Sequence, residues 1–317
     1  MDKCIINNKK YGIPTKDWLV PISKLMSDDM ASKGMILMAK LIDKEKVIVK
    51  ISNEHMNKLY VINSVLQDIP NFNTSYCVLL CNEKSEILDS KYLDAKQFCS
   101  GNKNNNDITL EIMKYYTSGS INNLSKTPNL KIIKKILDQL LCAQLEAFYK
   151  YGFLHNDIHR ANILFEEIDF KYTFKLSKSK YYKSIVFNEK IKFVITDFDR
   201  ADLLNPKYRK KYEVDYPNKK YFDEDYTLPN NILATFKTVL EIYENGTKVY
   251  EELIKLRGGG GGIYSSINRY YIKSLRSYLL YDQRIDYEEF RNRNIADAYT
   301  LCNRFYNHIF NENFINP

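Results

Sequence analysis

Two polar clusters, each beside an apolar run, constrain this chain more than any other feature of its sequence. The first spans residues 155–162 and contains Asp157 and Asn162, and the second is Asp197-Phe198-Asp199. An apolar run follows the first cluster and another precedes the second. Those runs are residues 163–165 and 193–195. Short apolar runs next to polar residues favour buried strands, which would hold the polar side chains rigidly.

A carboxylate, an amide and a second carboxylate are the groups that phosphoryl transfer from ATP requires. Asp157 is the candidate catalytic residue that orients an acceptor hydroxyl and takes its proton. Asn162 also belongs to the catalytic set. Together with Asp197 it is a candidate ligand for Mg²⁺ or Mn²⁺, because hard cations prefer oxygen ligands. We therefore expect ATP and a divalent cation as the cofactors.

A long amphipathic helix is predicted directly before the first cluster. Apolar residues recur at three- and four-residue spacing from Ile133 to Phe148, which marks one helix face. Thr127 offers an N-cap hydroxyl, and Pro128 suits the first helical position. Gly152 provides the C-terminal stop. We expect the catalytic loop to begin just beyond it.

Candidate nucleotide-binding residues precede this helix. Residues 46–51 predict a strand, and Lys50 within it is the preferred lysine for the α- and β-phosphates. Residues 110–113 predict a second strand, followed by a polar stretch with one glycine. Gly34 is the single glycine of the segment that would cover the phosphates with its backbone amides.

The polar stretch after the second strand has the character of a hinge between two lobes. We predict that backbone groups of Lys114, Tyr115 and Tyr116 pair with an adenine edge. Met113 would lie at the back of that pocket.

Together these segments resemble the eukaryotic-type protein kinase superfamily over nearly the whole chain. Within it, the chain most resembles the virion-associated serine/threonine kinases of poxviruses and related large DNA viruses. That likeness rests on residues 153–155, on a lysine- and aromatic-rich insertion at about 166–190, and on Asp197-Phe198-Asp199, where most kinases end in glycine. The resemblance implies an α+β, bilobal protein-kinase-like fold. Residues 1–113 would form a β-rich N-terminal lobe, and residues 114–317 a hinge and a mainly helical C-terminal lobe.

The resemblance also implies an ATP-dependent protein serine/threonine kinase of viral origin, with ATP and proteins as its partners. Its location would be intracellular, in the host cytoplasm, and is compatible with packaging in the virion. Two other functions stay open. His159, in place of the lysine usually found there, and the missing A-P-E sequence suggest a small-molecule phosphotransferase of the aminoglycoside or choline kinase type. The poor glycine loop suggests a pseudokinase scaffold.

Several residues depart from the family pattern. No G-x-G-x-x-G sequence is present. The helix after Lys50 should offer a glutamate to pair with it, and Glu54 is the only glutamate in that region. Its role stays open, because it lies close to Lys50 in sequence and is followed one turn later by Lys58 and not by an apolar residue. We expect Asp225 to hold the catalytic loop by hydrogen bonding, as a comparable aspartate does in the family. Asp199 stands where most kinases have the glycine that ends this triplet, so the backbone there lacks the conformational freedom of glycine.

Composition limits the remaining possibilities. Hydrophobic residues make up 44% of the 317 residues and charged residues 27%, as in a globular protein. The net charge of +8 comes without a nucleic-acid motif, which disfavours nucleic acid as a partner. A positive field instead favours acidic protein substrates or peripheral contact with anionic membranes. No apolar run reaches the ~20 residues of a transmembrane helix, and no signal-peptide pattern is present.

Cysteine and glycine usage adds two expectations. The six cysteines are scattered, so we expect reduced thiols in a reducing compartment. Cys77 and Cys81 enclose an apolar triplet that favours a buried strand over a zinc site. The five glycines at 258–262 predict a flexible connector. Nothing in the sequence indicates an oligomeric state.

Overall fold

The computed structural model describes residues 4–6, 9–11, 19–25, 35–43, 45–52, 56–80, 109–124, 128–176, 183–209, 211, 227–244, 246–256 and 287–314. Several residues singled out in the sequence lie outside these ranges, namely Gly34, Glu54, Cys81, Thr127, Asp225 and the glycines at 258–262. The chain divides into two compact units. One comprises Met1–Gln67 and Asn73–Thr117, and the other comprises Asp68–Phe72 and Ser118–Pro317.

The first unit is built on a five-stranded antiparallel sheet. Its strands are β3 (Leu19–Lys24), β4 (Met35–Leu41), β5 (Lys46–Ser52), β6 (Ser75–Leu80) and β7 (Thr109–Lys114), in the order β3-β4-β5-β7-β6. A separate ribbon pairs β1 (Cys4–Ile6) with β2 (Lys9–Tyr11). Val47, Val49 and Ile51 of β5 are buried on one side of the sheet, which suits β-branched residues on a pleated backbone. The strands predicted around Lys50, before Met113 and around Cys77 are confirmed.

Helix α1 (Met56–Leu66) follows β5 in the first unit. Its apolar residues Leu59, Ile62 and Leu66 are buried and lie three or four residues apart, so one face of the helix is turned inward. The residues of α1 include no aspartate or glutamate. A glutamate on this helix is therefore not available to pair with Lys50.

The long helix of the second unit is α2 (Leu130–Tyr151). Its predicted start at Thr127 and Pro128 is wrong, because Asn129 is the N-cap and its side chain accepts the Ile132 N–H at 3.0 Å. The predicted stop at Gly152 is confirmed. Gly152 has a φ of 67°, and a Cβ there would lie 2.6 Å from the backbone nitrogen of Asn205, so only glycine fits.

Short antiparallel pairs follow α2. They are β8 (Phe153–Leu154) with β13 (Asp202–Leu203), β9 (Ile163–Glu166) with β12 (Lys192–Ile195), and β10 (Phe170–Leu176) with β11 (Lys183–Glu189). The buried strands predicted after the first polar cluster and before the second are β9 and β12. The β10–β11 hairpin forms most of the predicted insertion. Tyr172 on β10 donates to the buried carboxylate of Glu146 on α2 at 3.3 Å, and this contact ties the hairpin to the helix.

Helices complete the second unit. They are α3 (Pro206–Arg209), α4 (Leu228–Leu240), α5 (Gly246–Leu256) and α6 (Tyr287–Phe310). Phe236 on α4 meets Phe305 on α6 with ring centroids 4.9 Å apart. The predicted α+β class is confirmed, with a β-rich first unit and a mainly helical second unit. Within the described ranges, no helix combines the length and apolar character needed to cross a membrane.

The cysteines only partly match expectation. Cys142 and Cys302 are free thiols in the core of the second unit. Burial raises the pKa of both thiols, so they stay protonated and unreactive. Cys77 on β6 is disulfide-bonded, so the expectation of a reduced thiol is wrong at this position. Its position in a buried strand agrees with the prediction.

Candidate catalytic site

The loop between β8 and β9 carries the first polar cluster. Asn162 ends a short 3₁₀ turn that starts at Arg160, and it is buried. Its Nδ2 donates to the backbone carbonyl of Asp157 at 3.0 Å. This bond ties the two ends of the loop together. It also leaves the amide oxygen as the end of the Asn162 side chain that can accept a cation.

Pairing of β9 with β12 brings the second cluster to the first. Ile163 lies directly opposite Ile195, and the Thr196 N–H donates to the Asn162 carbonyl at 3.0 Å. Asp197 follows with a φ of 68°, a left-handed conformation that costs a non-glycine residue about 1–2 kcal/mol. Such strain persists only where the surroundings hold the residue in place.

An aromatic cluster holds the segment that contains Asp197. Phe198 is 3% exposed. Its ring centroid lies 5.9 Å from those of Phe153 and His155, and 6.1 Å from that of Phe72. Edge-to-face contacts of this kind stabilise by more than the buried area alone. The buried Phe198 therefore anchors the backbone on which Asp197 stands.

His155 links the two clusters through both of its ring nitrogens. Nε2 lies 2.8 Å from the Thr196 carbonyl, to which it donates, and Nδ1 accepts the Asp157 N–H at 3.2 Å. One donor and one acceptor fix the neutral tautomer. Burial lowers the pKa of His155, against the opposing influence of the nearby carboxylates Asp197 and Asp157. His155 is a structural histidine.

Asn231 on α4 holds the β8–β9 loop through side-chain hydrogen bonds. It was not identified from the sequence. Its Oδ1 accepts the N–H groups of His155 and Asn156, both at 2.9 Å, and its Nδ2 donates to the Asn156 Oδ1 at 3.1 Å. Asn156 has a φ of 61°, so the loop needs this support. The role was expected of Asp225, which lies outside the described residues. A polar residue on the apolar face of α4 is the signal that could have revealed Asn231.

Two further buried amides position β12, and sequence reasoning missed both. Asn71 donates to the Phe193 carbonyl at 2.7 Å, and Gln139 on α2 accepts the Phe193 N–H at 2.9 Å. The Asn71 carbonyl accepts the Ile195 N–H at 2.8 Å. Both side chains are fully buried, and together they fix the strand that leads to Asp197.

A guanidinium lies beside the candidate base. Arg200 Nη1 is 3.4 Å from Asp157 Oδ1, with the two side chains 57% and 32% exposed. The backbone carbonyl of Arg200 accepts from Asn156 Nδ2 at 3.2 Å. His159, two residues after Asp157, is exposed. The cationic group next to the carboxylate therefore comes from Arg200, the residue that follows the second cluster.

The oxygen donors of this site suit Mg²⁺ or Mn²⁺. The free end of Asn162 is an amide oxygen, and Asp197 adds a carboxylate, both hard ligands. Among the described residues, no group of three or more histidines, cysteines and acids could hold a metal ion. Mg²⁺ typically takes one or two protein carboxylates and completes its shell with phosphates and water, so the donor set fits.

Two of the predicted nucleotide-binding residues, Lys50 and Met113, share one face of the sheet of the first unit. Lys50 pairs with Glu111, and Ile48 pairs with Met113, in the register of β5 and β7. Lys50 and Met113 are both 7% exposed. The Met113 sulfur accepts from Asn73 Nδ2 at 3.0 Å.

The predicted adenine-binding backbone begins at the last residue of β7, Lys114. Its N–H donates to the Thr74 carbonyl at 2.9 Å, so this N–H is engaged within the protein. Tyr116 is buried, and the Lys114 ammonium lies 5.1 Å from its ring centroid. The Lys46 ammonium lies 5.9 Å from the Tyr115 ring centroid.

No family model matches the chain, and no curated protein matches it. Among solved structures it is similar to the Cydia pomonella granulovirus kinase PK-1, with 17% identity and a TM-score of 0.37, over 59% of this chain and 53% of that one. It is also similar to a Plasmodium kinase domain, with 16% identity and a TM-score of 0.41, over 72% and 64%. The chain thus covers less than two thirds of either structure. Likenesses this distant carry no functional argument, so function has to be inferred from the site.

Proposed function

We propose that this chain is a protein serine/threonine kinase that transfers the γ-phosphoryl group of ATP to protein hydroxyls. The supporting observation is that Asp157, Asn162 and Asp197 stand on backbone segments joined directly to one another. Hydrogen bonds from Asn162 to the Asp157 carbonyl and from Thr196 to the Asn162 carbonyl make those joints, each at 3.0 Å. Phosphoryl transfer depends on positioning and charge, and rigid joints of this kind provide positioning.

Asp157 is the residue that would orient the acceptor hydroxyl and accept its proton. Its side chain is 32% exposed, so a hydroxyl on a macromolecule can reach it. Its backbone N–H is held by His155, which keeps the carboxylate at a fixed place in the loop. A positioned carboxylate of this kind is the usual base in protein phosphorylation.

Asn162 and Asp197 would hold Mg²⁺ or Mn²⁺, which supplies neutralising charge to the phosphates of ATP. Lys50 would bind the α- and β-phosphates, and Gly34 would contribute backbone amides above them. Met113 and the backbone of residues 114–116 would bind the adenine. The aromatic cluster around Phe198 keeps Asp197 in its left-handed conformation, so its carboxylate does not have to reorganise during transfer.

Arg200 adds positive charge beside the base. The lysine that kinases usually place two residues after the catalytic aspartate is His159 here. The Arg200 guanidinium lies 3.4 Å from Asp157 and would face the charge that develops on the transferred group. A fixed cation there stabilises the transition state more than the ground state.

Viral origin and action in the host cytoplasm belong to the same proposal. They are supported by the Asp197-Phe198-Asp199 triplet and by the insertion that folds as the β10–β11 hairpin. A small-molecule phosphotransferase is the second candidate, because His159 is exposed within the catalytic loop. It resembles the loop histidine of the aminoglycoside and choline enzymes.

Incubation with γ-labelled ATP, Mg²⁺ and an extract of host cells separates these candidates. Label on serine and threonine of proteins supports the kinase, and label on a metabolite supports the second candidate. Absence of transfer with retained nucleotide binding indicates a scaffold and contradicts both. Asp157→Asn is the control, since it keeps the size of the side chain and removes the base. Acidic and basic peptide arrays at two salt concentrations then test whether the net positive charge selects acidic substrates.

A further inference from the structure

Two residues of opposite charge lie side by side in the interior of the first unit. Lys50 on β5 and Glu111 on β7 are directly opposite one another in the antiparallel register. Side chains of such partners share one face of the sheet, with Cβ atoms about 4.5–5.5 Å apart. Lys50 is 7% exposed and Glu111 is 4% exposed. The sheet therefore places the buried side chains of a lysine and a glutamate directly opposite each other on one face.

Helix α1 covers this face of the sheet. Asn63 on α1 is buried, and its Nδ2 donates to Glu111 Oε1 at 2.8 Å. Because Lys50 shares the face of Glu111, its side chain also lies on the α1 side. Met113, the predicted residue at the back of the adenine pocket, is on the same face through its pairing with Ile48.

The chemistry of the neighbours favours a charge pair. A buried carboxylate is strongly unfavourable unless it is both hydrogen-bonded and paired with a positive charge. The Asn63 amide provides a hydrogen bond but no charge. Lys50, directly opposite on the adjacent strand, can supply that charge. No residue of α1 is acidic, so the helix itself cannot neutralise Lys50.

We propose that Glu111 is the counterion of Lys50 and the positioning residue that directs its ammonium to the phosphates of ATP. The part that concerns ATP rests on the proposed function, whereas the charge pair does not. Both partners belong to neighbouring strands of one sheet, so the register of the sheet sets their distance. Movement of α1 then changes the Asn63 hydrogen bond but leaves the pair intact. The pair is assembled whenever the sheet is folded.

Chemical reactivity of Lys50 tests the pair without any ATP. An amine reacts with acylating reagents only when it is unprotonated, and a carboxylate partner keeps it protonated. We expect Glu111→Gln, which keeps an acceptor for Asn63, to raise the acylation rate of Lys50 at pH 8 about tenfold or more. Peptide mass spectrometry measures the rate, with Lys46 on the same strand as an internal reference. Glu54→Gln is the matched control and should leave the rate unchanged.

Thermal melting provides a second measurement that does not depend on reactivity. Lys50→Met and Glu111→Gln each leave one buried charge without its partner, so each lowers Tm. The double variant removes both charges, and its Tm should fall by clearly less than the sum of the single losses. Additive losses, or a rise in Lys50 acylation in Glu54→Gln but not in Glu111→Gln, would overturn the pair.

Turnover separates this inference from the proposed function. If the chain is a kinase, Glu111→Gln should lower kcat/KM for ATP at least about tenfold, while Glu54→Gln retains it. If the melting losses are coupled but the chain shows no turnover, the Lys50–Glu111 pair is supported and the proposed kinase activity is rejected. If Glu111→Gln keeps full turnover and the melting losses are additive, the pair is rejected and the kinase activity is supported.

Discussion

Asn231 offers the sharpest test of how the second unit supports its loop. In Asn231→Ala the acceptor for the His155 and Asn156 N–H groups is lost. A buried donor without a partner costs about 1–3 kcal/mol. His155 is 1% exposed, so its N–H should cost about 2 kcal/mol, and half-buried Asn156, which water can reach, about 1 kcal/mol. We therefore expect the free energy of unfolding to fall by about 3 kcal/mol.

Two further variants make this measurement specific. Asn231→Asp keeps an oxygen for both N–H groups but sets a buried carboxylate oxygen against Asn156 Oδ1 and the Thr227 carbonyl. It should therefore also lower the free energy of unfolding, and by more as the pH rises and the carboxylate ionises. Asn230→Ala, next on the same helix, keeps its backbone bond to the Thr227 hydroxyl and should cost less than Asn231→Ala.

Urea denaturation followed by circular dichroism measures all three variants. A free energy of unfolding for Asn231→Ala within about 0.5 kcal/mol of that of the wild type would refute the reasoning, because two unpaired donors should destabilise the fold by more than that. Transfer by Asn231→Ala should also fall about 100-fold, since displacing the loop by about 1 Å misplaces the base.

Three other variants test the site. Asp197→Gly and Asp197→Ala should both lack phosphoryl transfer. In denaturation the glycine variant should be about 1 kcal/mol more stable than the alanine variant, because glycine tolerates the φ of 68°. Equal stability of the two variants would show that the backbone at residue 197 is not strained. Arg200→Gln should lower kcat about tenfold or more, because it removes a cation beside the base. Tm should change little, since an exposed ion pair contributes little to stability. A similar loss of kcat in Arg160→Gln would show that the effect is a nonspecific effect of charge. Burial lowers the pKa of His155 from its ordinary 6.5, so the unfolded chain takes up the proton first. The stabilisation is then complete above about pH 6.5 and declines as pH falls. His155→Gln should therefore show a smaller loss of unfolding free energy between pH 7.5 and pH 5.5, and an unchanged slope would contradict this.

Elements that depend on local pattern could be predicted from the sequence. The apolar face of α2 and the left-handed stop at Gly152 are set by residues within a few turns of each other. The strands β9 and β12 follow from short apolar runs beside the polar clusters. The N-cap of α2 is nevertheless Asn129 and not the predicted Thr127. Both residue types can cap a helix, and only the folded backbone decides between two such residues close in sequence.

Contacts between distant residues could not be predicted. Asn231 reaches a loop more than seventy residues earlier, with a sequence separation of 76 to His155. Asn71 bonds to Phe193 across 122 residues. The opposition of Lys50 and Glu111 depends on the register of β5 and β7, which a one-residue slip would destroy. The sequence left the role of Glu54 open, and this residue lies outside the described ranges; the sheet register shows that Glu111 lies opposite the lysine.

The rate of phosphoryl transfer in a single turnover tests the central claim most directly. The claim is that Asp157 serves as base and that Asp197 holds the metal. We predict that Asp157→Asn and Asp197→Asn each lower the transfer rate at least about 10³-fold, with wild-type melting curves to show that both variants are folded. Transfer by either variant within about tenfold of wild type would contradict the assigned role of that residue.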